Sequence, residues 1–473
     1  MKNRFNRLTS KEWLPFQKSW FRFQGLDRLY QDNIRFFCKA ESENEPIFYF
    51  GKQEQLFREQ AQSNGEQVET SPGKADNIQF ALIDLLDLIT AETDLQAYTS
   101  LKQDVLALAS ELFPRMQERR FISILIPNIQ KDEIYYPFAW DMAKTIATVF
   151  SLKDEKIACL EVDQVEVTSA SVFQPEKKNF YCLYLRKDEH SPNAAELIDT
   201  GLFQKNRQEE CMNGFSQSLP SWFILKPQPR KKNEILHPAK YPEDLVEMFV
   251  KTFTREGDNV FDPMSGTGST QVGALKAGRN GYGTELSEFF AKIAHSRCSE
   301  FNDPTQKELF HKAGDHDFKI LNKDARLIAE NDFPELDYII TSPPYWDMLN
   351  MKGAENQAKR KEKGLKTNYS DATDDLGNIS DYNKFIDELC EVYFNLINYL
   401  KPGGYFTIVV KNIKKQGKSY PFAWDLSREL QKELILLPEV FWCQDDISIA
   451  PYGYGNTWVS NTFHQYCLTF QKL

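Results

Sequence analysis

The chain has 473 residues, 41% hydrophobic and 26% charged, with a formal net charge of −11, which is typical of a globular protein of two or three domains. This acidic balance argues against nucleic-acid binding over the whole surface, so any such binding must use local basic patches. Without a run of about 18 apolar residues, an apolar N-terminal signal or a CxxC pair, the sequence predicts a cytoplasmic protein with no membrane contact, disulfide framework or metal site.

The first informative element along the chain is a repeat. Residues 121–141 (FISILIPNIQKDEIYYPFAWD) align without a gap to residues 405–425 (YFTIVVKNIKKQGKSYPFAWD), with 10 identities in 21 positions. Each copy has a predicted helix before it and an apolar strand after it, at 97–117 and 179–185 for the first copy and at 382–400 and 464–470 for the second. This similarity predicts a duplicated half-domain. The first copy is interpreted as degenerate and partial, because residues 1–96 contain no glycine-rich turn.

Polar stretches set the domain organisation. Residues 63–77 are typical of an exposed loop, and a second polar stretch at 187–218 separates the two copies. We therefore predict two domains, 1–225 and 226–473.

The second domain alternates predicted strands and helices. Its strands are predicted at 259–262, 281–286, 318–321, 336–341, 405–410, 435–442 and 462–470. One helix begins at about Ser269, and another follows Ser287 as N-cap. This alternation is typical of an α/β fold with a doubly wound, mostly parallel sheet.

A glycine-rich turn, DPMSGTGST (262–270), connects the first of these strands to its helix. Gly266 and Gly268 permit positive φ and close approach of a ligand, and the helix N-terminus offers free N–H groups. Glu285 and Asp324 follow the next two strands, where carboxylates can accept hydrogen bonds from ribose hydroxyls and an adenine amine. Each feature alone has a purely structural explanation, but together they predict an adenosine-bearing ligand at the carboxyl edge of the sheet.

A second turn, TSPPYW (341–346), follows the strand LDYIIT. Two prolines fix the backbone without N–H groups, so that Ser342 and the carbonyl of Pro343 can accept both hydrogens of an exocyclic amine. Tyr345 offers a stacking face for a planar base. The alternative interpretation is a rigid surface turn.

On these motifs, residues 236–473 resemble the S-adenosylmethionine-dependent DNA amino-methyltransferases, which modify cytosine N4 or adenine N6. DPMSGTGST resembles their cofactor loop, with Met264 in place of the usual Phe, and TSPPYW resembles their catalytic loop. The resemblance implies a Rossmann-like seven-stranded methyltransferase sheet with an antiparallel last strand. It also implies S-adenosylmethionine as cofactor, double-stranded DNA as substrate and a restriction endonuclease as a candidate partner.

The resemblance also implies roles for individual residues. Catalytic roles fall on Ser342, Pro343, Pro344 and Tyr345, and cofactor binding falls on His237, Lys240, Asp262, Pro263, Ser265, Gly266, Thr267, Gly268, Ser269, Glu285 and Asp324. In this family SPPY usually accompanies cytosine N4, which favours that base, while adenine N6, RNA methylation and a non-catalytic scaffold that retains the cofactor stay open. No Pro-Cys pair supports the covalent route to cytosine carbon 5.

Basic residues suggest where DNA binds. The run 352–366 follows the predicted catalytic loop, and its Lys359, Arg360, Lys361 and Lys363 are predicted phosphate contacts, although charge runs are usually solvated faces. Residues 1–225, helped by 347–380, are by elimination the predicted target-recognition region. Asn412, Trp424 and Asp425 recur as Asn128, Trp140 and Asp141 in a copy without catalytic motifs, so we predict that these residues are structural.

Overall fold

The computed structural model describes residue 6 and residues 8–39, 45–131, 134–161, 179–188, 219–226, 241–301, 316–346, 375–445 and 460–473. It contains two large β-sheets, one in residues 8–188, here called the first half, and one in residues 219–473, the second half. Among the helices in these ranges, none has the length and apolar character needed to cross a membrane.

The first half places seven strands in one sheet and two more in a hairpin. Its strands are β1 Trp20–Arg22, β2 Ile47–Phe50, β3 Val68–Glu69, β4 Ile78–Asp84, β5 Met116–Ile126, β6 Ile129–Lys131, β7 Ile134–Tyr136, β8 Ser151–Cys159 and β9 Asn179–Arg186. Its helices are α1 Ser10–Trp13, α2 Leu26–Phe37, α3 Glu54–Ser63, α4 Leu95–Arg115 and α5 Phe138–Ile146. The sheet order is β1-β8-β9-β5-β4-β2-β3, and β6 pairs with β7.

The second half repeats this plan. Its strands are β10 Trp222–Ile224, β11 Asn259–Asp262, β12 Asn280–Glu285, β13 Phe318–Asn322, β14 Leu336–Thr341, β15 Leu400–Val410, β16 Ile413–Lys415, β17 Lys418–Tyr420, β18 Ile435–Leu436, β19 Val440–Cys443 and β20 His464–Gln471. Its helices are α6 Glu243–Phe253, α7 Ser269–Lys276, α8 Glu288–Phe301, α9 Tyr382–Ile397 and α10 Phe422–Leu430. The order β10-β19-β20-β15-β14-β11-β12-β13 repeats that of the first sheet and adds β13 at the edge.

This strand order confirms the predicted Rossmann-like methyltransferase sheet. β11 is parallel to β12 and β14, whereas β20 is antiparallel to both β15 and β19. The predicted strand at 435–442 is divided into β18 and β19, because Pro438 cannot donate a ladder hydrogen bond. β10 belongs to the second sheet, although it lies before residue 226, the predicted start of the second domain.

The duplication extends further than the sequence identities indicate, because every strand of the first sheet has a counterpart in the second. In β9 and β20 the burial pattern recurs, with apolar side chains on both faces. A strand buried on both faces needs apolar side chains of suitable volume rather than particular residues. The two halves therefore share their strand order even where their amino-acid sequences differ.

The two halves share one continuous core and a symmetric polar interface. Trp140 of α5 stacks on Trp424 of α10, with ring centroids 6.2 Å apart. Both rings belong to a hydrophobic cluster that runs through both sheets. Because these residues are equivalent in the repeat, the halves pack about an internal pseudo-twofold axis, as the subunits of a symmetric dimer do.

Two buried glutamates tie the halves together on either side of this stack. Glu155 of the first half accepts hydrogen bonds from Asn412 Nδ2 (2.8 Å) and Tyr466 OH (2.7 Å) of the second half. Its repeat equivalent, Glu439 of the second half, accepts from Asn128 Nδ2 (3.0 Å) and Tyr181 OH (2.9 Å) of the first half.

The remaining recurring residues extend this interface. Lys144 of the first half forms an ion pair with Asp425 of the second, and Tyr382 OH donates to the same carboxylate. Asp141 forms the equivalent contact with Tyr98 and an ion pair with Lys102 within the first half. The structural role predicted for the recurring asparagine, tryptophan and aspartate side chains therefore agrees with their contacts.

Candidate active site

The two sequence motifs of the second half meet at one edge of its sheet. The glycine loop (262–270) follows β11 and the proline loop (341–346) follows β14. These strands are parallel neighbours that pair Phe261 with Ile339. Thr341 Oγ1 donates a hydrogen bond of 2.7 Å to Asp262 Oδ1, so the first residues of the two loops are in direct contact. The glycine loop and the proline loop therefore start side by side at this edge of the sheet.

Asp262 organises both loops. Its buried carboxylate accepts from Thr341, from Met264 N (2.9 Å), from Thr270 Oγ1 (2.6 Å) and from Tyr241 OH (3.1 Å). Burial raises the pKa of this carboxyl above its usual value, although its four hydrogen bonds act in the opposite direction. The sequence predicts cofactor binding by Asp262, whereas in the structure its carboxylate is occupied by donors of the chain itself.

The glycine loop depends on its two glycines. Gly266 and Gly268 have φ values of +52° and +80°, the left-handed region that side chains disfavour. A Cβ on Gly268 would lie 2.9 Å from the Cβ of Ala294 on α8. Ser265 closes the loop from below, since its hydroxyl donates to Asp262 O and accepts from Gln271 Nε2. The backbone can therefore approach a ligand without any side chain intervening.

Glu285 ends β12 beside this loop. Its carboxylate accepts from Gly266 N (2.8 Å) and Ser287 N (2.9 Å), which leaves acceptor capacity on both oxygens. Burial raises the pKa of Glu285 to about 7. A desolvated carboxylate of this kind is stabilised by further hydroxyl donors, so the geometry fits the ribose of an adenosine-bearing cofactor.

Exposed apolar side chains follow the neighbouring strands at this edge. The large hydrophobic side chains most exposed in the described ranges are Leu286, Phe289, Leu327 and Leu473, and the first three lie just beyond β12 and β13. Asp324 shares this edge, where burial would raise its pKa but hydrogen bonds from Arg326 hold the pKa below its usual value. Asp324 is therefore engaged by Arg326.

The proline loop presents a partly exposed tyrosine. Tyr345 OH donates to Gln465 Oε1 at 2.8 Å, and Ser342 Oγ lies 3.5 Å from the same hydroxyl. Burial raises the pKa of Tyr345 to about 12, so the side chain stays neutral. Lys411 Nζ lies 5.3 Å from the centroid of its ring. Ser342 and Tyr345, predicted as catalytic, thus lie side by side at the loop.

The loop then turns sharply at Trp346, which has a φ of +51° and is buried. Its ring lies 4.9 Å from Tyr420 and 3.7 Å from Lys415 Nζ, both on the β16–β17 hairpin. The conformation of the proline loop is therefore fixed from one side by this hairpin.

The other predicted site residues divide into two groups. Thr267 and Ser269 are buried in the glycine loop, the Thr267 carbonyl accepts from Arg297, and the Pro263 carbonyl accepts from Thr284 Oγ1 at 2.7 Å. The predicted residues that lie outside the described ranges are His237, Lys240, Lys359, Arg360, Lys361 and Lys363.

Sequence reasoning missed several residues at this edge. No role was predicted for Tyr241, Gln465 or Lys411. Tyr241 reaches the loops from just before α6, Gln465 from β20 and Lys411 from directly after β15. A signal existed for two of them. In the repeat, Lys411 corresponds to Pro127 and Gln465 to Phe180, so both are particular to the half that has the proline loop.

The equivalent edge of the first half is closed. In the strand register, Asp84 at the end of β4 is equivalent to Ser342, and its buried carboxylate accepts from Tyr30 OH. Tyr30 and Phe57 pack on Tyr49 with ring centroids 5.9 and 4.5 Å away. An aromatic cluster therefore lies in the first half where Asp262 begins the glycine loop in the second half. Burial raises the pKa of Asp84.

Known proteins resemble parts of this chain. Residues 90–296 match a family model described as DNA methylase. The type II methyltransferase M.MthZI of Methanothermobacter thermautotrophicus is 33% identical over 100 residues, 21% of this chain and 28% of that protein. The orphan methyltransferase M.BamHII of Bacillus amyloliquefaciens is 40% identical over 65 residues, 14% of this chain and 24% of that protein. The chain thus spans about a quarter of the length of these relatives.

Among solved structures, TrmN from Thermus thermophilus is 16% identical, with a TM-score of 0.29 over 49% of this chain and 48% of its own. The family match includes the glycine loop and the strands of the first half from β5 onward, while the proline loop lies beyond it.

Proposed function

We propose that the chain transfers a methyl group from S-adenosylmethionine to an exocyclic amine of a DNA base, a proposal supported by the match of residues 90–296 to a family model described as DNA methylase. The observation that supports this most is the hydrogen bond between Thr341 and Asp262, which sets a cofactor-type loop and an amine-binding loop side by side. Both loops stand at the carboxyl edge of a methyltransferase-type sheet, where ligands of α/β proteins bind.

The glycine loop and its neighbours would hold the cofactor. Gly266 and Gly268 allow close backbone approach, Glu285 would accept the ribose hydroxyls, and Leu286 with Leu327 would cover the adenine faces. When bound, S-adenosylmethionine supplies an electrophilic methyl group on a sulfonium. Asp262 keeps the loop in place from behind through its contacts with Tyr241 and the glycine loop.

The proline loop would hold the base. Ser342 and the Pro343 carbonyl accept the two amine hydrogens, so that the nitrogen lone pair faces the methyl group, and Tyr345 stacks on a base flipped out of the duplex. Gln465 fixes the Tyr345 ring through its hydroxyl. The new N–C bond would form as the S–CH3 bond of the sulfonium breaks to leave a thioether, and the amine proton would leave to Ser342 or water.

We propose cytosine N4 as the acceptor, because the loop begins with Ser342 rather than an aspartate. Adenine N6 is the second candidate. Base analysis of the methylated product distinguishes the two, and the same analysis on RNA identifies an RNA substrate.

We further propose that the first half grips and positions the substrate without binding a cofactor itself. The aromatic filling around Tyr49 supports this, since it occupies the equivalent of the cofactor edge. The shared core around Trp140 and Trp424 would hold this half rigidly against the active half.

Transfer of tritium from labelled cofactor to mixed-sequence DNA tests the enzyme claim. We expect Y345A to lower turnover with little change in cofactor affinity, while Y345F, which keeps the ring and loses the bond to Gln465, retains most activity. E285A should mainly weaken cofactor binding, measured by calorimetry. Cofactor binding without methylation of any nucleic acid would contradict the proposal and would favour a non-catalytic scaffold.

A further inference from the structure

Lys411 is a basic residue beside the proline loop that the mechanism above does not use. It follows directly after β15, which runs parallel to β14 and pairs Ile408 with Thr341. Both strands therefore deliver their next residues to the same edge of the sheet. Its ammonium nitrogen lies 5.3 Å from the centroid of the Tyr345 ring, within cation–π range.

Lys411 forms no ion pair with any carboxylate in the part of the chain that the structure describes. Its neighbours differ, since Lys414 pairs with Asp154 of the first half and Lys415 covers the Trp346 ring. Lys411 is half-buried, and its burial lowers the pKa of the ammonium group below its usual value because the charged form is disfavoured away from water. A cation held in this way binds an anion strongly when one enters.

The repeat shows that the fold does not require this lysine. The equivalent residue of the first half is Pro127, although the next residue, Asn128, is kept as Asn412 for the interface between the halves. The side chain that accepts from Tyr345, Gln465, is likewise replaced by Phe180. The residues around Tyr345 are therefore replaced in the first half, whereas the residues of the interface between the halves are kept.

We propose that Lys411 binds a backbone phosphate adjacent to the target base and so positions the flipped nucleotide over Tyr345. This rests on the proposed function. A nucleic acid brings one phosphate with every nucleotide, and lysine is a compact charge well suited to it. The cation–π contact with Tyr345 would hold the ammonium at the pocket edge before the phosphate arrives. Lys411 is therefore a positioning residue rather than a proton acceptor.

The test is a double-mutant cycle between Lys411 and individual phosphates. A duplex containing the target site is made with a neutral methylphosphonate at either phosphate flanking the target base. Binding and single-turnover methylation are measured for the wild-type chain, K411Q and K411R, with K432Q as a control that removes the same charge from an exposed position on the second half.

We expect K411Q to weaken binding to the unmodified duplex about tenfold, as for loss of a charged hydrogen bond, and to reduce the salt slope by about 0.9. One methylphosphonate should weaken wild-type binding similarly and leave K411Q unaffected, while K411R recovers much of the loss and K432Q behaves as wild type. Equal sensitivity of K411Q and the wild type to both methylphosphonates would overturn the proposal. A wild-type chain that binds DNA but methylates none would instead contradict the proposed function.

Discussion

The symmetric interface gives a quantitative prediction for the two equivalent asparagines. Asn128 donates to buried Glu439 and accepts from Ala139 N at 2.8 Å. Asn412 donates to buried Glu155 and accepts from Ala423 N at 2.9 Å. Replacing either by alanine removes the same two hydrogen bonds, one to a carboxylate and one to a backbone N–H group at the start of a helix.

The expected cost follows from these contacts. A hydrogen bond to a charged group contributes about 1.5–3 kcal/mol, and the neutral one about 0.5–1.5 kcal/mol. N128A and N412A should therefore each lower the free energy of unfolding by about 2–4.5 kcal/mol when the partner carboxylate is ionised.

The pH adds a directional expectation. Burial raises the pKa of Glu439 to about 7, above its value in the unfolded chain. The stability associated with this carboxyl is therefore present at low pH and lost as pH rises through about 7. Because Asn128 stabilises the ionised form, N128A should cost more at pH 8 than at pH 6.

Urea titrations followed by tryptophan fluorescence measure these differences, since Trp140 and Trp424 lie in the interface. N398A, at an exposed position, should stay within about 0.5 kcal/mol of the wild type. The structural interpretation would fail if N412A abolished methylation without changing stability while N128A changed neither methylation nor stability. The asparagine of the active half would then act in catalysis.

Two further predictions concern the cofactor edge. G268A should weaken cofactor binding at least tenfold, because φ at +80° and a Cβ 2.9 Å from Ala294 displace the loop, and wild-type affinity measured by calorimetry would refute this. Cofactor affinity should rise with pH and level off above about 7, as Glu285 ionises. Over the same pH interval the unliganded fold should lose the stability that the protonated carboxyl contributes. E285Q should abolish both trends, and a pH dependence retained in E285Q would contradict the assignment.

Local patterns were sufficient for the two loops. The glycine turn and the proline turn are each determined by a few consecutive residues with special backbone properties, and each was predicted in its observed place after a strand. The helices predicted at 97–117 and 382–400 were found at 95–115 and 382–397, and most of the predicted second-half strands were confirmed as well. The repeat also indicated which residues are structural, because the asparagine, tryptophan and aspartate that recur in both copies lie at or beside the interface between the halves.

The complete first sheet and its closed edge could not be predicted in this way. β2 and β3 contain no glycine motif, and the filling of their edge by Tyr30, Tyr49 and Phe57 depends on side chains brought together from separate elements. The contacts of Asp262 could not be predicted either, because the side chains that donate to its carboxylate, Tyr241 and Thr341, are 21 and 79 residues away in the sequence.

The sequence by itself therefore determined where the two loops with special backbone geometry lie, since proline and glycine act through their own φ angles. Only the tertiary structure decided which carboxylate is shared between those loops, which lysine stands beside Tyr345, and how two copies of one sheet pack through paired Glu, Asn and Tyr side chains. Those contacts join residues up to 311 positions apart, and their existence depends on the folding of both halves around one core.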